Sequence, residues 1–188
     1  MPLEQTIDRL SADLRQLGPG PLADLRRMDP TGPGTTAFWS LAARCGFLEE
    51  ATDAWMRIVK IMAILTPRGE PDRRPPLHNA RRPLGAVLCD GGRRDWADGA
   101  GVQPRPFVSE MRLARFLSQP PGQRPQALER LARMLATQRD PTSGVNCIDI
   151  AALLLNPDNR TALRALARTY YQRLNSATHR ANKEGTTA

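Results

Sequence analysis

The segment Ile58-Val59-Lys60-Ile61-Met62-Ala63-Ile64-Leu65 decides the fold class of this chain. It is apolar on most sides of a helix, and a helix of that kind is buried among other elements. Glu49, Glu50 and Asp53 precede it, and acids at a helix start stabilise the positive end of the helix dipole. We therefore expect one helix over residues 49–65 at the centre of a core.

The rest of the chain shows the same helical period. Apolar residues recur at steps of three and four, and Gly or Pro residues interrupt the pattern. No alternation of apolar and polar residues persists, so no sheet is expected. The predicted fold class is all-α. Further helices are expected over residues 3–17, 22–28, 37–44, 84–89, 107–117, 124–138, 146–156 and, after a cap at Asp158, 159–175.

Two loops divide the predicted helices. Residues 67–83 are rich in Pro and Arg, and residues 90–106 are rich in Gly. We expect two small helical bundles joined by these loops, an N-terminal lobe over 1–89 and a C-terminal lobe over 107–175. In the second lobe, Phe107, Met111, Ala114 and Leu117 are predicted to face inward. Residues 176–188 are polar and are expected to form a flexible tail.

The charge is unevenly distributed. The net charge is +8 and the isoelectric point is near 10.6, with Lys60 and Lys183 as the only lysines. Residues 105–139 carry seven arginines against two acids, and residues 158–183 carry five arginines and a lysine against one acid. A positive charge concentrated in the later helices suits a polyanionic partner.

The chain has few side chains that could serve in catalysis or bind a metal ion. Cys45, Cys89 and Cys147 lie too far apart for a zinc site or a disulfide framework, so they are expected to be reduced and buried. His78 and His179 are expected at the surface, and Asp90, Asp95 and Asp98 in a solvated loop. No acid, base or nucleophile pattern is present, so neither catalysis nor a metal or cofactor is predicted.

The chain carries no targeting or membrane signal. Its N-terminus lacks an apolar run, and residues 58–65, its longest apolar stretch, are too few to span a bilayer. We expect no membrane association and a cytoplasmic location.

The arginines of the later helices are the candidate binding residues. Arg160, Arg164 and Arg168 recur at steps of four, where like charges repel unless acids or phosphates neutralise them. Two interpretations remain open at this point: a phosphate-binding surface, or a solvated face with salt bridges between helices. Trp96, in the second loop, is expected to be the most exposed of the aromatic residues.

Several segments together resemble the CasB family, the small subunit of the type I-E CRISPR surveillance complex Cascade. Each is a weak motif, and their order along a helical chain of this length carries the resemblance. They are LADLRRMDP at 22–30, AFWSL at 37–41, LGAVL at 84–88, VSEMRLARFL at 108–117, ALERLARML at 127–135, IDIAALL at 148–154 and RTYY at 168–171.

The resemblance implies a non-catalytic helical subunit. Such subunits occur as two copies beside the guide-RNA-bearing siblings of Cascade, and they hold the target and displaced DNA strands, which stabilises the R-loop. The loop 67–83, the turn 120–122 and the extra tail depart from the family pattern, and the turn puts Arg115 and Arg124 in doubt as family contacts. Together with the charge pattern, the resemblance nominates Arg27, Arg57, Arg112, Arg115, Arg130, Arg133 and Arg164 as nucleic-acid-binding residues.

Two other functions stay open from the sequence. The first is a helical adaptor whose arginine faces meet acidic surfaces of partner proteins, with Trp96 as a contact. The second is an enzyme subunit, which lacks any supporting constellation of side chains.

Overall fold

A computed structural model describes residues 2–50, 52–93, 95–96 and 105–185, with side chains to residue 179. Within these ranges the predicted all-α fold is confirmed, since they hold no strand and only one isolated bridge, between His78 and Val145. No helix in the described chain is long and apolar enough to cross a membrane. The helices are α1 (Leu3–Gln16), α2 (Pro19–Arg27), α3 (Thr36–Cys45), α4 (Asp53–Leu65), α5 (Leu84–Asp90), α6 (Glu110–Leu117), α7 (Arg124–Gln138), α8 (Cys147–Leu155) and α9 (Arg160–Gly185).

Helix α4 is the central helix, as its sequence predicts. Every residue from Ile58 to Leu65 is buried, and the helix packs against α1, α2, α7 and α8. It begins at Asp53 rather than residue 49, because Leu48–Glu50 form a separate 3-10 turn. Even Lys60 is buried, so its ammonium group requires a partner inside the fold.

Helix α5 packs on α9 at very short range. A side chain at Gly85 would meet the carbonyl oxygen of Leu166 and the hydroxyl of Thr169, so only glycine fits there. The phenol of Tyr170 lies fully buried beside this contact and donates a 2.5 Å hydrogen bond to the carbonyl of Val108. These contacts join α9 to both α5 and the segment before α6.

A single cluster of buried residues draws on both predicted lobes. Helix α4 from the first lobe contacts α7 and α8 of the second, and α5 contacts α9. The Pro/Arg-rich loop is also held in place, because buried Arg74 donates hydrogen bonds to the carbonyls of Arg15, Leu17 and Gly69. The hydrophobic core is therefore continuous across the boundary drawn from the sequence.

The C-terminal prediction is wrong over residues 176–185. Helix α9 continues to Gly185, ten residues beyond its expected end, and Ala177 within that extension is buried. No Gly or Pro stands between 160 and 184 to stop it. The helix is capped by Asn159, whose side chain accepts a hydrogen bond from the amide of Ala162, rather than by Asp158. Residues 186–188 lie outside the described ranges.

Helix α6 begins later and buries a different face than expected. Ser109 caps it, and the amides of Phe107 and Val108, which lie in a bend before the helix, donate hydrogen bonds to the carbonyls of Cys89 and Leu88. Leu113 and Phe116 point inward, whereas Met111 is 75% exposed. The predicted inward stripe is confirmed for Phe107 and Leu117, which are half-buried and pack against the core, and is wrong for Met111 and Ala114, which are exposed.

Candidate nucleic-acid interface

Side chains of helix α6 contact both α7 and α9. On one side, Arg112 of α6 places Nη1 3.3 Å from the sulfur of Met134 on α7. On the other side, Glu110 of α6 hydrogen-bonds Tyr171 of α9, which together with burial raises the pKa of that phenol. Helix α6 thus contacts two arginine-bearing helices.

The nominated arginines of α6, α7 and α9 are exposed. Arg112, Arg115, Arg130 and Arg164 lie on the outer faces of their helices, as amphipathic periodicity predicts. None of these four forms an ion pair with a carboxylate within the described residues. Their charge is therefore open to solvent and to an anionic partner.

One face of α9 carries Arg164 together with two further arginines and an aromatic ring. Arg160, Arg164 and Arg168 are all exposed along it. Tyr171 continues the same face, since it lies one helical turn after Arg168, and it is 39% exposed. Arginines followed by an accessible ring resemble the combination that proteins use to hold single strands, with cations for phosphates and a π-face for a base.

A groove of about 320 Å³ opens between the end of α6 and α9. It is lined by Leu117, Arg124, Arg160, Leu163, Arg164 and Ala167. Half of these residues are arginines, so the groove is basic on an apolar floor.

Arg57 faces the interior instead. Its side chain is 13% exposed and Nη1 lies 3.4 Å from the carboxylate of Glu129, which Lys60 approaches to 3.1 Å and Arg133 to 2.9 Å. Burial raises the pKa of Glu129, but the hydrogen bonds from Arg133 and Lys60 outweigh burial and leave that pKa below its ordinary value. The geometry gives Arg57 an inward structural partner, so we leave it out of the surface described above.

Arg27 and Arg133 are exposed but paired. Arg27 lies 3.0 Å from Asp24 of the same helix, and both side chains are more than half exposed. Such a surface pair is worth only about 0–1 kcal/mol, so it leaves Arg27 accessible to another anion. Arg133 is half-exposed and also donates a hydrogen bond to the carbonyl of Arg26, which places it beside α2 rather than beside α6.

The last residue of α5 holds a buried carboxylate whose partners no sequence pattern indicates. Asp90, expected in a solvated loop, has a fully buried side chain that accepts hydrogen bonds from Arg82 at 2.9 Å and from Arg173 at 2.6 Å. Arg173 also lies over the ring of Trp96, whose indole N–H donates to the carbonyl of Arg105. Trp96 is therefore half-buried, and Trp39 and Tyr171 are the more exposed rings. Asp98 lies outside the described residues.

His78 is also internal, contrary to the expected surface position. Its side chain is 8% exposed, Nδ1 accepts a hydrogen bond from the amide of Cys147, and Nε2 lies 3.5 Å from Asp8. This contact holds the Pro/Arg-rich loop against the start of α8. No local pattern in the sequence indicates it, because the two partners are 69 residues apart.

The three cysteines are free and buried, as expected. Burial raises the pKa of Cys45 to about 11 and that of Cys89 to about 12. Thiols of that kind are inert as nucleophiles at neutral pH. In the described part of the chain, no group of three or more His, Cys, Asp or Glu side chains is arranged to hold a metal ion.

Comparison with protein-family models, with curated proteins and with solved structures finds no match to this chain.

Proposed function

We propose that this protein is a non-catalytic subunit that binds single-stranded nucleic acid within a larger ribonucleoprotein assembly. The observation that carries the proposal is a set of exposed arginines on α6, α7 and α9 that form no ion pair within the described residues, namely Arg112, Arg115, Arg130 and Arg164. The resemblance to the CasB family specifies the assembly: a Cascade-type complex with guide RNA and sibling subunits, in which this chain holds target and displaced DNA strands.

The energetic basis is phosphate neutralisation. Exchange of a DNA strand for a guide RNA is nearly balanced in free energy, so a few additional phosphate contacts to the displaced strand favour the opened state. Guanidinium groups suit this task because they stay charged and bind phosphate oxygens in pairs. Tyr171 adds a stacking surface beside the arginines.

The test is binding of a fluorescent oligothymidine at several salt concentrations. If Arg115, Arg130 and Arg164 each neutralise one phosphate, their combined replacement by alanine reduces the salt slope by about 2, given about 0.7 per phosphate on a single strand. Tyr171→Ala should weaken binding by about 1–3 kcal/mol while leaving the salt slope unchanged.

The matched control removes three exposed arginines from other elements, Arg9, Arg73 and Arg81. The proposal requires the control to keep most of the wild-type affinity and slope. Equal losses in the two triple variants would show a diffuse charge effect, and salt-insensitive binding would refute phosphate contacts altogether.

One observation favours an adaptor as the second candidate. Met111 is 75% exposed and lies between Glu110 and Arg112 on the same helix. A large exposed apolar side chain among charges is common in protein-protein contacts. Loss of a protein partner on Met111→Asp, with no affinity for oligothymidine in the wild type, would favour this function.

A further inference from the structure

A second basic site lies where α2, the end of α4 and the end of α7 meet, away from the α6–α9 groove. It is a groove of about 690 Å³, and its lining includes four arginines, Arg26, Arg68, Arg133 and Arg139. We call it the α4-end groove. No acidic residue lies in its lining, so its charge is strongly positive.

Two of the arginines form the fixed floor of the α4-end groove. Arg26 donates through Nε to the carbonyl of Ala63 at 2.9 Å and through Nη2 to that of Thr66 at 2.8 Å. Arg139 donates through Nη2 to the carbonyl of Leu65 at 2.9 Å. The guanidinium groups therefore cover the last carbonyls of α4, whose partial negative charge would otherwise repel an anion.

Arg139 has more hydrogen-bonding capacity than the fold uses. The residue is only 8% exposed, and its Nη1 has no hydrogen-bond partner within the described chain. An unpaired buried donor is costly to leave without an acceptor. Burial lowers the pKa of Arg139, which shows that its charge is poorly solvated.

The other two arginines stand at the rim of the groove. Arg68 is exposed on a bend after α4, and Arg133 is half-exposed on α7. Burial lowers the pKa of Arg26, and the charges of Arg68 and Arg74 lower it further, as expected where cations crowd together.

The carboxylates nearest to the groove are Glu129 and Asp140, and each of them interacts with one arginine of the lining, Glu129 with Arg133 and Asp140 with Arg139. Glu129 is shared among Arg57, Lys60 and Arg133, so one negative charge faces three cations. Asp140 accepts hydrogen bonds from the amide and hydroxyl of Thr142. The cations around the groove therefore exceed the anions.

We propose that the α4-end groove is an oxyanion pocket that takes one phosphate group, held between Arg26 and Arg139 on the floor and Arg68 and Arg133 at the rim. The lining supplies four guanidinium groups, of which Arg133 is also paired with Glu129. This set matches the charge and the multiple acceptors of a phosphate. The phosphate belongs either to a nucleic-acid strand or to a small free ligand. The pocket does not depend on the proposed function, because it uses a different set of arginines apart from the shared nomination of Arg133.

The test is calorimetric titration of the full-length chain with pyrophosphate at constant ionic strength. The decisive variant is Arg68→Glu, which reverses a charge at the rim on an exposed bend and leaves the floor intact. Its matched control is Arg73→Glu, the same charge reversal at an exposed residue outside the lining. We expect Arg68→Glu to weaken pyrophosphate binding by about tenfold or more, and Arg73→Glu to change it less than about twofold.

Competition then separates the two sources of phosphate. If pyrophosphate displaces oligothymidine, the pocket holds a phosphate of the strand; if both bind together, it holds a separate small ligand, and either result supports the pocket. The triple variant of Arg115, Arg130 and Arg164 should keep pyrophosphate binding even if it loses oligothymidine, so the two proposals fail separately. Absence of pyrophosphate binding, or equal weakening by Arg68→Glu and Arg73→Glu, would overturn the pocket.

Discussion

Replacement of Gly85 by alanine should strongly destabilise the fold. The new methyl group would lie 2.9 Å from the backbone nitrogen of Tyr170 and still closer to the carbonyl oxygen of Leu166. These are backbone atoms inside α9 that cannot rotate away, and an ordinary carbon-oxygen contact is about 3.3–3.6 Å, so α5 and α9 must separate by about 1 Å. A gap of that size forfeits about a quarter to a half of the dispersion energy at the interface. We expect a loss of about 3 kcal/mol, at the upper end for an overpacked core.

Thermal unfolding followed by far-UV circular dichroism measures this effect. For a chain of this length a loss of about 3 kcal/mol lowers the Tm by about 6–12 °C. The matched control is Gly20→Ala in α2, where nothing lies within 4 Å of the added carbon, so the same change should leave the Tm equal or slightly higher. If Gly85→Ala melts with the wild type, the description of the α5–α9 contact is wrong.

Three further predictions follow from the buried groups. Asp90→Asn removes the carboxylate from two arginines and should cost about 3–5 kcal/mol in urea unfolding, and a loss under about 1 kcal/mol would contradict the ion-pair geometry. The pKa of Glu129 lies below its unfolded value of about 4.3, so its ion pairs stabilise the protein above that pH. The difference in stability between wild type and Glu129→Gln should therefore shrink as the pH falls below that value, and a constant difference would refute this. Cys45 and Cys89 should react with a thiol reagent at neutral pH only after unfolding, and fast labelling of the folded chain would contradict their burial.

Local patterns predict most helices here because most helices carry their own start and stop signals in the sequence. The range 124–138 matches α7, since Pro125 fits the first turn and an amphipathic stripe follows. The cap at Thr35 and the stop at Gly46 bound α3 in the same way, with Gly46 in the left-handed conformation. Where a stop signal is absent, as after Asn175, the sequence predicts the wrong end for the helix.

The partners of buried polar groups could not be predicted, because they depend on residues distant in sequence. Asp90 meets Arg173 across 83 positions, and Arg57 meets Glu129 across 72. Helical periodicity carries no information about such distant pairs. The sequence patterns therefore predict a solvated Asp90 and a phosphate-binding Arg57. The exposure of the arginines of α6, α7 and α9 was easier to predict, because an amphipathic helix places its charged residues outward.

Isolation of a tagged copy from its native host tests directly whether this chain works inside an RNA-containing assembly. We expect the chain to co-purify with several sibling subunits and with a short RNA of uniform length that has repeat-derived ends. Recovery of the chain as a monomer, free of RNA and of other proteins, would contradict a role in such an assembly.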